Sequence, residues 1–212
     1  MNIRGLLMIH FLKNINLDID IPKGYKEIIL GAGCFWGVER KFWDLDGVYL
    51  TSVGYCGGEL NNPSYEEVCK GQSNHAEVIK IYYDPGVITL TDLLVVFWEC
   101  HDPTQGMRQG NDIGTQYRSF INCLHNEDLK IINNSKIKYQ SILIQNGYSK
   151  ITTEIVENKS YFMAEEYHQQ YLAKIQMVIA GLGAQIALSQ NNYLYIIPIF
   201  ATLAQLARAV DL

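Results

Sequence analysis

The 212-residue chain has no cysteine beyond Cys123, no CxxC pair, and only 17 Lys plus Arg against 22 Asp plus Glu. Its five thiols, Cys34, Cys56, Cys69, Cys100 and Cys123, are an odd set at irregular spacings. That excludes a secreted disulfide framework and a zinc ribbon, and leaves free thiols in a reducing cytoplasm as the expectation. A net charge of -5 offers no basic face to neutralise a phosphate backbone, so nucleic acid is not an expected partner. Long clean apolar runs are missing as well. Leu6 to Leu12 is interrupted by His10 and no small-residue cleavage site follows it. Tyr193 to Val210 is broken by Pro198 and carries Gln205 and Arg208, short of the roughly 20 clean residues a bilayer span needs. With 48% apolar and 18% charged residues, the composition suits one compact domain and excludes collagen, coiled coil and wholesale disorder.

What is present alternates strand-like and helix-like segments without internal repeats, an α/β or α+β pattern. Lys26 to Gly31 reads as a strand, and Val38, Phe42, Trp43 and Leu45 recur at helical spacing after Cys34. Further strands are expected at Val48 to Tyr55, Ala76 to Tyr83, Gln116 to Leu124 and Ile151 to Val156. Helices are expected at Tyr65 to Cys69, Thr89 to Cys100 and Glu127 to Gln145. Asn191-Asn192 marks a soft boundary between a single domain over residues 1–190 and an atypical apolar tail over 191–212.

Three segments carry chemistry. The first is Gly31-Ala32-Gly33-Cys34-Phe35-Trp36-Gly37. It is not a dinucleotide fingerprint, because Trp36 stands where close helix packing needs glycine and no acid follows at ribose distance. It does put Cys34 where a strand turns into a helix, so that unsatisfied N–H groups favour the thiolate. An isolated cysteine is more often a small buried side chain. Here Phe35 and Trp36 cannot both face a core, and one is expected at the mouth of an apolar pocket. The second segment is the strand around Glu77, whose period-two neighbours Ile79, Ile81 and Tyr83 put the carboxylate on the more apolar face. Burial there raises its pKa and makes a proton donor; the plainer reading is a strand-end Glu paired with a base. The third is the glycine-punctuated run Gln109 to Arg118, which holds Asp112 and Tyr117 and reads either as a site loop or as a plain turn.

Taken together, these segments resemble the A-type peptide methionine sulfoxide reductases, enzymes that reverse methionine oxidation. The resemblance runs from about Lys26 to Gly183. It is carried by Gly33-Cys34-Phe35-Trp36-Gly37, Gly54-Tyr55 to Gly58, Asn62 to Cys69, His75-Ala76-Glu77, His101 to Thr104, Arg108 to Ser119 and Ala164 to Leu172. It implies a two-layer α+β fold with a mixed, largely antiparallel sheet, flanking helices and a ferredoxin-like core. It implies reduction of the S epimer of methionine sulfoxide, free or in proteins, without metal or organic cofactor. Cys34 would be the nucleophile that becomes a sulfenic acid and Glu77 the acid. Phe35 and Trp36 would receive the substrate methyl group, Tyr65 and Tyr117 would bind the sulfoxide oxygen with Glu77, and Asp112 would organise that polar side. Thioredoxin or another thiol would regenerate Cys34, in a cytoplasmic monomer that engages neither nucleic acid nor membrane.

The chain departs from many relatives in lacking C-terminal resolving cysteines: Ala180 and Ser189 fall about where they would be. Cys56, which replaces a small residue of the Gly-Tyr-x-Gly-Gly segment, is the candidate resolving thiol, with direct reduction by thioredoxin, glutaredoxin or a small thiol as the other route. The competing function is a non-catalytic or single-turnover methionine-binding redox sensor. A metal site at Cys100-His101-Asp102, or at Cys123 with His125, has poor ligand spacing and is not expected.

Overall fold

The computed structural model describes residues 8–178. The chain divides into two compact units, 1–171 and 172–212, and every candidate site residue lies in the first. The boundary expected near residue 190, the apolar tail, and positions 180 and 189 lie outside the described residues.

Ahead of Lys26, where no element was expected, a hairpin pairs β1 (Ile9–His10) with β2 (Ile15–Asn16). Strand β3 (Lys26–Ala32) follows and leads into α1 (Phe35–Arg40). This helix is shorter than the apolar spacing implied. Phe42 and Leu45 continue in successive turns, with Phe42 N–H bonded to Glu39 O and Leu45 N–H to Phe42 O. Such three-residue turns keep a near-helical spacing and still bury Phe42 and Trp43.

Next come β4 (Val48–Cys56), α2 (Tyr65–Cys69), β5 (Ala76–Tyr83) and α3 (Leu90–Glu99). Both helices start at capping boxes, Ser64 with Glu67 and Thr89 with Asp92, each cap contributing about 1 kcal/mol. A short hairpin joins β6 (Arg108–Gln109) to β7 (Asp112–Ile113). The strand expected from Gln116 starts only at Ser119, as β8 (Ser119–Cys123). Thr115–Tyr117 instead form a 3-10 turn closed by Tyr117 N–H on Gly114 O. After α4 (Leu129–Gln145), the last expected strand is displaced to β9 (Glu154–Glu157). The N–H groups of Ile151 and Thr152 are engaged by Gln140 Oε1 and Pro103 O, outside the sheet. A short strand not foreseen, β10 (Tyr161–Met163), is the last strand among the described residues.

Six strands form one sheet in the order β10-β4-β5-β3-β8-β9, antiparallel throughout except for the parallel pair β8 and β9. The result is a mixed α/β architecture with flanking helices. In β5, Ile79, Ile81 and Tyr83 face the main core with Phe35, Val38 and Phe42 from the α1 region and Leu93, Leu94 and Phe97 from α3. The opposite face holds a smaller cluster of Ile29, Cys56, Ala76, Val78 and Phe120. Since side chains alternate along a strand, this parity decides which residues can reach the site.

Candidate active site

Two glycines set the position of Cys34. A Cβ on Gly31 would stand 2.9 Å from the Glu77 carbonyl oxygen, so β3 and β5 approach closely just before the turn. Gly33 adopts φ +99, a conformation L side chains avoid, and a Cβ there would lie 2.8 Å from the Gln109 side chain. This turn leaves Cys34 as the N-cap of α1 and seats the β6–β7 hairpin against it.

Glu77 comes from the middle strand of the core face and is only 2% exposed. Its Oε2 accepts the Phe35 N–H at 3.0 Å, one of the free N–H groups in the first turn of α1. Burial pushes the Glu77 carboxyl up to about 8, against the pull of that N–H and with a further push from Asp112. At pH 7 the group is therefore mainly protonated and can donate.

Cys34 behaves differently from the expectation of a resting thiolate. The N–H groups of Trp36 and Gly37 do draw its pKa down, as a helix start should. Burial of the sulfur, the largest effect, together with the charges of Glu77 and Asp112, outweighs them and pushes the thiol well above its ordinary value. With six residues, α1 has little dipole to offer, and desolvation wins. The Glu77 contribution is present only when Glu77 is ionised, so a protonated Glu77 eases Cys34 towards the thiolate.

An aromatic group lines the same region. Phe35 is 1% exposed and belongs to the core, while Trp36 is half-buried and packs against the edge of that core. Trp36 stacks on Tyr171 with centroids 4.0 Å apart and an interplanar angle of 19°. Its Nε1–H donates to His168 Nδ1 at 3.1 Å. Tyr65 packs its ring 4.5 Å from that of His168. Burial and neighbouring negative groups push the hydroxyls of Tyr65 and Tyr117 well up, Glu77 acting on both and Cys34 and Asp112 on Tyr117, so both phenols remain hydrogen-bond donors at neutral pH. Cys34, Glu77, Phe35, Trp36, Tyr65, Asp112 and Tyr117 are thus brought together from β3–α1, α2, β5 and the β7 region.

Sequence reasoning missed the brace behind them. Glu165 Oε1 accepts the Tyr65 N–H at 2.9 Å, and Oε2 accepts the Tyr55 hydroxyl at 3.0 Å. His168 Nε2 lies 3.8 Å from the same Oε2. Burial works against the Glu165 charge, yet these donors, its own backbone N–H and His168 hold its carboxyl below the ordinary value. The signal available was the polar and aromatic run Glu165 to Tyr171, but nothing local says which residues it supports.

Cys56 is not brought to this site. It pairs with Ala76 across β4 and β5, one position away from the Tyr55–Glu77 pair, and so projects to the opposite face of the sheet. There it is fully buried, with its sulfur accepting from Asn122 Nδ2 at 3.4 Å. Cys100 and Cys123 donate to the backbone oxygens of Phe97 and His125. Cys69, at the exposed end of α2, is different: its thiol is hydrogen-bonded to the Tyr65 hydroxyl at the edge of the site. His101 is held between Phe97 O and Ser119 Oγ, each at 2.7 Å. Among the described residues no three His, Cys, Asp or Glu gather in a group able to hold a metal ion, and no helix is long and apolar enough to cross a membrane.

A buried, protonated carboxyl beside a thiol at a helix start and an aromatic wall defines a thiol-dependent site for a small polar group with apolar flanks. The family model for peptide methionine sulfoxide reductase matches residues 26–192. The peptide methionine sulfoxide reductase MsrA of Vibrio parahaemolyticus is 53% identical over 174 residues, covering 82% of this chain and 82% of that protein. Methionine sulfoxide reductase A of Corynebacterium diphtheriae superposes with a TM-score of 0.75 at 40% identity, covering 79% of this chain and 82% of its own. Mxr1 from Saccharomyces cerevisiae in complex with Trx2 superposes with a TM-score of 0.52 at 30% identity, covering 73% and 91%. The chain belongs to the peptide methionine sulfoxide reductase family, a family of oxidoreductase enzymes.

Proposed function

We propose that this chain reduces the S epimer of methionine sulfoxide, free or in proteins, to methionine, with Cys34 as nucleophile and Glu77 as acid. The observation that carries this reading is the buried Glu77 carboxyl, protonated at neutral pH and hydrogen-bonded to the N–H of the residue after Cys34. Cys34 Sγ attacks the sulfoxide sulfur while Glu77 gives its proton to the oxygen, and the thiol proton of Cys34 replaces it. The attack forms a bond between Cys34 Sγ and the substrate sulfur; the S–O bond then breaks, its hydroxyl adds to Cys34 Sγ, and the Sγ–S bond is cleaved to release the thioether. The products are methionine and a Cys34 sulfenic acid, a two-electron exchange in which sulfoxide is reduced and thiol oxidised. Tyr65 and Tyr117 donate to the same oxygen as charge builds on it, and Asp112 adds a smaller push to the burial that keeps Glu77 protonated. The methyl group rests on Trp36, with Phe35 fixing that wall from behind. Epimer choice follows from three fixed directions: only one configuration at sulfur sends oxygen to Glu77 and the methyl group to Trp36 while the rest of the substrate leads out of the site and leaves the sulfur open to Cys34.

The sulfenic acid then reacts with two reducing equivalents from a dithiol, releasing water and restoring Cys34. Thioredoxin fits this role, as the complex of the related Mxr1 with Trx2 suggests. The placement of Cys56 supports direct reduction over an internal relay through that residue. Cys56→Ala is therefore expected to keep thioredoxin-driven turnover within about twofold, and a loss beyond about tenfold would restore Cys56 as the resolving thiol. The relationship to a family of reductases does not favour the sensor alternative.

Two finer points belong to the same reading. The segment β3-α1-β4-β5-α3-β8 has its four strands in the order second, third, first, fourth, which supports a ferredoxin-like core. Free thiols and the charge of -5 support a cytoplasmic monomer. The test is turnover of a racemic methionine sulfoxide peptide with thioredoxin as sole reductant, resolved by chiral chromatography. Consumption of the S epimer alone is expected; consumption of both, or of neither, overturns the proposal.

A further inference from the structure

The residues ahead of the family-like core do more than precede it. His10 is fully buried, and its Nδ1 accepts the Lys13 N–H at 3.2 Å, so its Nε2–H is the donor facing Thr51 Oγ1 at 3.3 Å. Burial is the main cause, with the nearby Lys13 charge, that lowers its pKa to about 4, so the ring stays neutral in this role. Thr51 passes its own hydroxyl proton to Glu39 Oε1 at 2.9 Å. Glu39 sits on α1, three residues after Trp36. Its carboxylate also accepts the Gln170 N–H at 2.9 Å and the Gln170 Nε2–H at 2.7 Å. The remaining polar atom of that amide, Gln170 Oε1, accepts the Phe11 N–H from the hairpin at 3.0 Å.

Gln170 itself is held at φ +47, a left-handed conformation uncommon for a residue with a side chain. It lies between His168, which receives the Trp36 indole N–H, and Tyr171, which stacks on the Trp36 ring. A bend at this residue is what allows two side chains so close in sequence to grip one indole. The hairpin supplies both ends of the clamp, through His10 to Thr51 and Glu39 and through the Phe11 N–H to the Gln170 amide.

We infer that the β1–β2 hairpin is a strap for the substrate wall: His10 and the Phe11 N–H, acting through Glu39 and Gln170, are positioning elements that hold Trp36 against the substrate methyl group. This rests on the reading of Trp36 as that wall. It goes beyond that reading by giving the N-terminal segment a role in substrate affinity rather than in the thiol chemistry.

The experiment compares wild type with His10→Phe, which keeps the ring volume and removes both hydrogen bonds, and His10→Gln, whose amide can again reach Thr51. Gln170→Gly, which tolerates the left-handed backbone and deletes the amide, is the second disruption. Each full-length protein is assayed with a methionine sulfoxide peptide under steady-state and reductant-free single-turnover conditions. His10→Phe and Gln170→Gly are expected to raise KM by about 3- to 10-fold, with the saturating single-turnover rate within about twofold of wild type and recovery of KM in His10→Gln. An unchanged KM, a fall in the saturating rate equal to any change in KM, or a His10→Gln variant as impaired as His10→Phe would overturn the strap. So would failure of both disrupted variants to fold, which would make the hairpin part of the core. Inactivity of the wild type would be a failure of the reductase reading, visible separately in the same assay.

Discussion

Cys34→Ser is expected to lose methionine sulfoxide reduction by at least about 10⁴-fold, the scale on which removal of an attacking group registers when no second nucleophile can replace it. Among the four other thiols, Cys56, Cys100 and Cys123 are turned away from the site or engaged with backbone, and the Cys69 thiol, at the end of α2, is engaged with the Tyr65 hydroxyl and held above its ordinary pKa by burial. The variant should fold normally, because serine is isosteric within a few tenths of an ångström and still satisfies an N-cap position. Binding should persist, since Phe35, Trp36, Tyr65 and Tyr117 are untouched. The measurement is peptide turnover beside substrate quenching of tryptophan emission. Retention of more than about one hundredth of wild-type activity would assign the attack to another group.

Glu77→Gln should be the second most damaging change, costing about 10²- to 10⁴-fold in the rate of the chemical step, the range for loss of a positioned general acid. Glutamine keeps the shape and can still bond the Phe35 N–H through its carbonyl, but it carries no transferable proton. The wild-type profile follows from the direction of the shift. Burial raises the Glu77 pKa to about 8, so the acid is present below that value and activity should fall as pH rises through it. The residual rate of Glu77→Gln should lack this limb. Stability shares the sign: the folded state holds a proton that the unfolded chain releases near pH 4, so the Glu77 contribution declines as pH rises towards 8. A pH profile for wild type that is flat between pH 7 and 9, measured with pre-steady-state mixing, would contradict the role of acid.

Much of this site was legible before the fold. Strict alternation in Ala76 to Tyr83 put Glu77 on the core side, and glycine punctuation put Cys34 at a helix start; both are local properties. The ionisation of Cys34 was not legible, since the helix-start argument sees only the N–H groups ahead of the sulfur and not the tertiary burial that outweighs them. Cys56 was misplaced for a related reason. A glycine turn next to it suggested freedom, while strand pairing with Ala76 fixes it on the far face. The N-terminal hairpin escaped notice because strands of two residues have no period to read, and β10 was too short for the same test. The brace of Glu165, His168 and Tyr171 depends on contacts across 100 residues of sequence or more, as in the Tyr65–Glu165 and Tyr55–Glu165 bonds. No local pattern encodes such a contact.

In the chemistry proposed for this site, Cys34 takes the oxygen from the sulfoxide. The most direct test of this step is a reductant-free single turnover of the reduced protein with a methionine sulfoxide peptide, in the presence of a sulfenic-acid trap such as dimedone, followed by peptide mapping. One methionine is expected per chain, with the trap attached at Cys34 alone and the remaining four thiols still open to alkylation after denaturation. Methionine formed with Cys34 still alkylatable, or with the trap on another cysteine, would contradict that step.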